Sequence, residues 1–153
     1  MSTIDQAVAA AGTALPDVIT GHIGGESVPV DASAKHLGVY FPGTGEQIAS
    51  LQEDDASAVA IAVSTARESF DRGAWSSAST TTRQTVFRKA AQLIRDHAEE
   101  LGVLECVCAG LPSSHLASRQ VPRAADNLDF FADYIGVMAG ETFEQLPGYQ
   151  TVV

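Results

Sequence analysis

The pattern of apolar and polar positions divides the chain into a β-rich first part and a helical remainder. Val18-Ile19-Thr20-Gly21-His22-Ile23 has strand character, Gly24-Gly25 supplies a turn, and Ser27-Val28-Pro29-Val30 is expected to return. Pro29 lacks an N–H, which makes that return an edge strand or an incomplete one. Leu37 to Phe41 reads as a third strand, Pro42-Gly43-Thr44-Gly45 as a tight turn, and Glu46 to Leu51 as a fourth strand. Short antiparallel hairpins over about 18–51 follow from this pattern. Upstream, Ile4, Val8, Ala11 and Leu15 have helical spacing that Gly12 and Pro16 interrupt. Residues 1–17 are expected to form a mobile arm, with a frayed helix as the alternative.

From Asp54 the period lengthens. Asp54 or Asp55 is placed to cap a helix over about 55–72, with Ala56, Val59, Ala60, Val63, Ala66 and Phe70 on its apolar face. Gly73 should end it, leaving Trp75 in a loop as a packing anchor between helices. A second helix is expected over about 80–109. Val86, Ala90, Ile94, His97, Leu101, Leu104 and Cys108 make its buried stripe, and a break falls near His97–Gly102. Gly110 suits the left-handed position after the helix end, and Pro112 blocks continuation. A further helix should run over about 113–139 from Ser113 or Ser114, kinked or restarted at Pro122 and weakened at Gly136 and Gly140. Its stripe is Val121, Ala125, Leu128, Ala132, Ile135 and Met138. The β-prone ending, Tyr149 to Val153, reads as the start of a strand that continues in a longer parent protein. The class is therefore α+β.

Composition narrows the function. Hydrophobic residues are 45% of the chain, as in a globular domain. A formal charge of −10 repels phosphate backbones, which argues against a nucleic-acid partner. No apolar run reaches the roughly 20 residues that span a bilayer, and no leader-like start is present. Two cysteines one residue apart do not form a disulfide framework, so a cytoplasmic protein with reduced thiols is expected.

Cys106 and Cys108 are the chemical candidates. Both fall at a helix C-terminus, where the dipole disfavours a thiolate nucleophile. On a helix they point about 200° apart, too far to share a metal ion. His97 and His115 add no ligand spacing. Small apolar packing is the expected role, with Cys108 facing the core. His22 and His36 should face solvent. Asp126, Asp129 and Asp133 should form a solvated stripe, and Arg83 and Arg88 should pair with nearby acids.

With these residues placed, a resemblance is visible. His22-Ile23-Gly24-Gly25-Glu26 looks like the opening "ING(E/K)" hairpin of the aldehyde dehydrogenase superfamily, and Phe41 to Ala49 looks like its "NPATGE.IA" turn. Gly73-Ala74-Trp75, Arg83, Leu104-Glu105, Gly110-Leu111-Pro112 and Gly140-Glu141-Thr142 follow in the family's order. The segments Val121 to Asn127 and Phe130 to Asp133 are similar to members acting on 5-carboxymethyl-2-hydroxymuconate semialdehyde.

The resemblance implies a piece of an α/β enzyme. Residues 18–148 would be the first part of a cofactor-binding domain, and 149–153 the start of an oligomerisation strand. It implies an intact enzyme that oxidises an aldehyde to an acid with NAD or NADP, using a cysteine nucleophile, a glutamate and a "PWN" asparagine. Those parts lie further along the family's chain, so no catalytic or cofactor residue is assigned here, no cofactor is expected for this chain alone, and it is expected to be inactive alone. The expected partner is the missing C-terminal part or another copy of the chain, since an apolar face is left open. The alternative is a stand-alone helical interaction module derived from such an enzyme. Relatives often carry an aspartate at the position of Cys108 that helps hold a structural monovalent cation with backbone matching Val39 and Tyr40. A thiol is a poor ligand for a hard ion, so that site is implied to be weakened or lost.

Overall fold

The computed structural model describes residues 15–152, so the expected arm lies outside the described residues apart from its last three positions. Strands β1 (Val18–Ile19), β2 (His22–Ile23) and β3 (Glu26–Ser27) are two residues each, while β4 (His36–Tyr40) and β5 (Gln47–Gln52) are longer. The expected strand over 18–23 is broken at Thr20-Gly21. Its first half pairs in parallel with β5, Val18 opposite Ser50 and Ile19 opposite Leu51. Its second half forms a hairpin with β3 around Gly24 and Gly25, whose φ values of 66° and 93° suit glycine. The return strand stops at Ser27, before Pro29, as the missing N–H requires. The β4–β5 hairpin has the expected position, with a register shift after Val39. Strand β5 is thus the centre of a three-stranded sheet in the order β1-β5-β4.

Helix α1 (Ala56–Asp71) lies within a residue of its expected bounds. Asp55 caps it: the carboxylate accepts from the Ala58 N–H at 2.8 Å and from the Ser57 hydroxyl at 2.8 Å. These bonds, led by the Ala58 N–H, hold the Asp55 carboxyl below its ordinary value of 3.8. A lowered carboxyl stabilises the fold above the unfolded value, and the contribution fades as pH falls through the lowered folded value. Asp55→Asn caps without titrating, so the acid-induced loss of helix, followed by circular dichroism below pH 4, is expected to lose part of its pH dependence. An unchanged acid profile would contradict this role for Asp55.

The long helical stretch divides at His97, which has φ −105° and ψ 20°, into α2 (Thr80–Asp96) and α3 (Ala98–Ala109). Ser79 caps α2 through the Thr82 N–H. The next stretch opens with α4 (Ser113–His115), passes through a π turn over Leu116–Gln120, and becomes α5 (Val121–Tyr134). The π turn is the local answer to Pro122. With no N–H to reach the Ser118 carbonyl, the bonding slips by one residue there. Helix α5 ends five residues before the expected 139. Around Gly136 the bonds tighten to i→i−3, from Gly136 N–H to Asp133 O and from Val137 N–H to Tyr134 O. The expected terminal strand is the second arm of a hairpin, β6 (Thr142–Leu146) with β7 (Tyr149–Val152), turning at Pro147-Gly148. The ending was expected to begin an oligomerisation strand, and its pairing with Thr142–Leu146 was not expected, because Phe143 and Leu146 do not alternate as a strand requires.

The packed part is small. The largest helix interface joins α2 to α5, and α3 packs on the π turn. Among the described residues the buried apolar positions are Ala49, Ala91, Val107, Leu116, Ala125 and Ala132, mostly alanines that allow close helix approach. Leu116 is the one large side chain among them that is fully enclosed, at 1% exposure. No helix of the described residues is long and apolar enough to cross a membrane.

Candidate functional site

The corner where α3 ends is the first place to look for chemistry. Gly110 takes the left-handed conformation at φ 71°, and its N–H bonds the Cys106 carbonyl at 2.8 Å. A Cβ at Gly110 would stand 3.2 Å from Pro42 Cβ, so the end of α3 is seated on the β4–β5 turn. Cys108 and Tyr40 each lie two residues from that contact, the neighbourhood the sequence implied for Val39, Tyr40 and Cys108. The thiol does not match the expectation. Cys108 is exposed and Cys106 half-buried, while Val107 between them is buried. The expected stripe assumed one helix from Thr82 to Ala109. The irregular backbone at His97 resets the helical phase, and α3 turns Val107 inward instead of Cys108. Among the described residues no group of three or more His, Cys, Asp or Glu is arranged to hold a metal.

A dinucleotide needs free N–H groups at a helix start for its pyrophosphate. The β5–α1 junction is a strand leading into a helix, but Asp54 and Asp55 stand at its mouth and Asp55 occupies the Ala58 N–H. At the start of α2 the Ser79 hydroxyl occupies the Thr82 N–H. At both helix starts a side chain thus occupies one of the N–H groups that would face a phosphate.

The polar side chains of α5 connect helices. Arg88 meets Asp133 at 2.6 Å, and Arg95 meets both Asp126 and Asp129, at 2.7 and 2.8 Å. The expected solvated stripe of aspartates is one half of a cross-helix pairing. Bonds to Asp126 and Asp129 raise the Arg95 pKa above its ordinary value. Such exposed pairs position α2 on α5 more than they stabilise the fold. Gln84 adds a bond from Nε2 to the Ala132 carbonyl at 2.8 Å. Arg88 follows the expectation of a nearby acid, but Arg83 does not. Its Nη2 donates to the carbonyls of Trp75 and Ser76, and its guanidinium stands 5.6 Å from the Trp75 ring centre. Trp75 in turn stacks on Phe87. The direction of the guanidinium was not readable from the sequence. His22 and His36 are exposed as expected, with His36 Nε2 3.1 Å from the Asp31 carbonyl.

With this arrangement in hand, likeness to known proteins decides the family. The family model described as the aldehyde dehydrogenase family matches residues 30–153. The chain belongs to the aldehyde dehydrogenase family. A betaine aldehyde dehydrogenase of Vibrio vulnificus strain YJ016 is 32% identical over 123 residues, covering 80% of this chain and 25% of the relative. The solved HpcC of Thermus thermophilus superposes with a TM-score of 0.75 at 31% identity, over 92% of this chain and 26% of that one. An indole-3-acetaldehyde dehydrogenase of P. syringae, AldA, solved as a C302A mutant with NAD+ and IAA, superposes with a TM-score of 0.78 at 28% identity, over 95% of this chain and 29% of that one. The chain thus spans about a quarter of the length of the curated relatives it matches.

In this aldehyde dehydrogenase chain the apolar stripe expected on α5 is covered at Ala125 and Ala132 and half-covered at Val121, Leu128 and Ile135, with only Met138 open. The stripe expected on α1 is instead largely open. Val59, Val63 and Phe70 of α1 are 56%, 65% and 57% exposed, and no residue of that helix is buried. Helix α1 leans on the β2–β3 hairpin through Thr65, which lies beside Gly24, so the stripe itself points away from the rest of the chain. On α2, Val86 of the expected stripe is open and Ala90 and Ile94 are half-buried; Leu93, outside that stripe, is also open, and Ala91 is the residue enclosed.

Proposed function

We propose that this chain is the N-terminal portion of an NAD(P)-dependent aldehyde dehydrogenase, and that the residues performing catalysis and holding the cofactor belong to the remaining three quarters of the family's length. The observation that carries this reading is the family match over residues 30–153 in a chain that reaches only about a quarter of its relatives. The side-chain caps of α1, with Asp54 and Asp55 at its mouth, and of α2 support the second half of it, since each occupies an N–H that a pyrophosphate would use. In the intact enzyme a bound nicotinamide cofactor would supply the hydride acceptor. Kinship with members acting on 5-carboxymethyl-2-hydroxymuconate semialdehyde is proposed on Gly110-Leu111-Pro112, Val121 to Asn127 and Phe130 to Asp133.

The open stripe on α1, with Val86 and Leu93 of α2, supplies the partner: the remaining part of the enzyme or, in its absence, another copy of the chain. Two measurements test the proposal. Calorimetric titration of residues 1–153 with NAD+ is expected to give no saturable heat, and a saturable site on this chain alone would refute the assignment of the cofactor residues elsewhere. Sedimentation of the chain alone should show concentration-dependent association that Val63→Glu reduces, because the substitution places a charge on the open stripe of α1. A monodisperse monomer at every concentration would remove the partner half of the proposal.

A further inference from the structure

The end of α5 and the first turns of α2 enclose a groove of about 310 Å³. That volume is at the lower end of the roughly 300–1,000 Å³ usual for small-ligand sites. Its walls are almost wholly aromatic and apolar: Trp75, Phe87, Phe131, Tyr134 and Met138. One cation stands among them, the half-buried Arg83.

The state of that cation gives the groove a direction. Arg88 and Arg95, also on α2, each meet a carboxylate, but Arg83 has none within 4.0 Å among the described residues. Its Nη2 is committed to two backbone carbonyls, whereas Nε is buried without an acceptor. Nη1, for which no bond is found among the described residues, is the donor left open to a ligand, and a charged acceptor such as a carboxylate makes the stronger bond to it. The Trp75 ring lies 5.6 Å from the guanidinium and is itself stacked against Phe87 at a centroid distance of 6.1 Å.

We propose that this groove binds a small single-ring aromatic carboxylate, with the ring against Phe131, Tyr134 and Met138 and the carboxylate accepting from Nη1 of Arg83. The volume admits one ring, the walls favour its faces and edges, and Arg83 selects the acid over the neutral analogue. The site is independent of where the cofactor and catalytic residues of the intact enzyme lie.

Trp75 is the chain's only tryptophan, so its fluorescence reports this groove without labelling. The full chain should be titrated with phenylacetate, with phenylacetamide as the uncharged counterpart and acetate as the charge without the ring. Phenylacetate is expected to give a saturable change, with phenylacetamide and acetate each at least about tenfold weaker, a difference of 1.4 kcal/mol. Met138→Glu changes a residue that is 66% exposed, so the fold should persist by circular dichroism while phenylacetate binding weakens at least as much. Three outcomes would overturn the proposal. They are no saturable change, equal affinity for the acid and the amide, and binding unaffected by Met138→Glu. A Trp75 signal that follows protein concentration and ignores phenylacetate would assign the groove to a second copy of the chain, and would also overturn it.

Discussion

Leu116→Ala is expected to cost about 2–5 kcal/mol, the largest loss of any single truncation in the described chain. Leu116 is the one large side chain held fully inside, at the point where α3 packs on the π turn. Elsewhere the enclosed positions are mainly alanines, so the neighbours have little side chain with which to collapse into the cavity. Whole domains are stable by only about 5–15 kcal/mol, and a chain with so small a core should lie near the bottom of that range. Urea unfolding followed at 222 nm should therefore find Leu116→Ala largely unfolded without denaturant. Leu116→Met, close in volume, should lose less than about 1.5 kcal/mol. If alanine at this position were tolerated within a few tenths of a kcal/mol, the packing of α3 on the π turn described above would be wrong.

Gly102→Ala is the second large effect, and its sign separates local from tertiary reasoning. Helix propensity alone predicts a gain of about 1 kcal/mol in the middle of α3. The tertiary contact predicts the reverse. A Cβ at Gly102 would stand 2.9 Å from both the Cβ and the backbone nitrogen of Ala117, and 3.0 Å from its Cα. Two of those three atoms are backbone, so no rotamer change relieves the clash, and α3 must move off the π turn. Overpacking of this kind costs about 1–3 kcal/mol. The expected result is a net loss of up to about 2 kcal/mol once the propensity gain is subtracted. Ala117→Gly in the same chain removes one of the three close atoms and should restore only part of the loss. A stabilised Gly102→Ala would mean that α3 and the π turn stand further apart than described.

Gly102 also shows where the sequence pattern was sound and where it was not. A break was expected near His97–Gly102, with the glycine as its cause. The break is there, at His97, but Gly102 is a buried, regular helical residue whose missing side chain serves close packing. Helix propensity describes the chain by itself, whereas the need for a glycine at this position comes from another segment 15 residues further on. The same distinction explains Cys108. Steps of three and four carried the expected buried stripe through Leu101 and Leu104 to Cys108, and one irregular residue at His97 rotated the following helix away from that line.

Some features were legible because their causes are local. Asp55 and Gly73 bound α1 within a residue of expectation, since a capping carboxylate and a left-handed glycine act on their own turn. Gly110 and Pro112 stop α3 for the same kind of reason, and Pro42 to Gly45 sets the β4–β5 hairpin. The ordered motifs were also sufficient for the family, because each marks a local turn, cap or helix end. The parallel pairing of Val18 and Ile19 with β5 was not legible, as nothing in a two-residue strand specifies a partner 32 positions away. Nor was the enclosure of Leu116, the aim of Arg83 at the carbonyls of Trp75 and Ser76, or which residue of α2 would be enclosed. By itself the sequence determined the element ends that have a local cause and the family to which the elements belong. Only the tertiary structure decided which faces are covered, because burial depends on the phase and distance of segments far apart in the chain, and one irregular backbone residue is enough to change both.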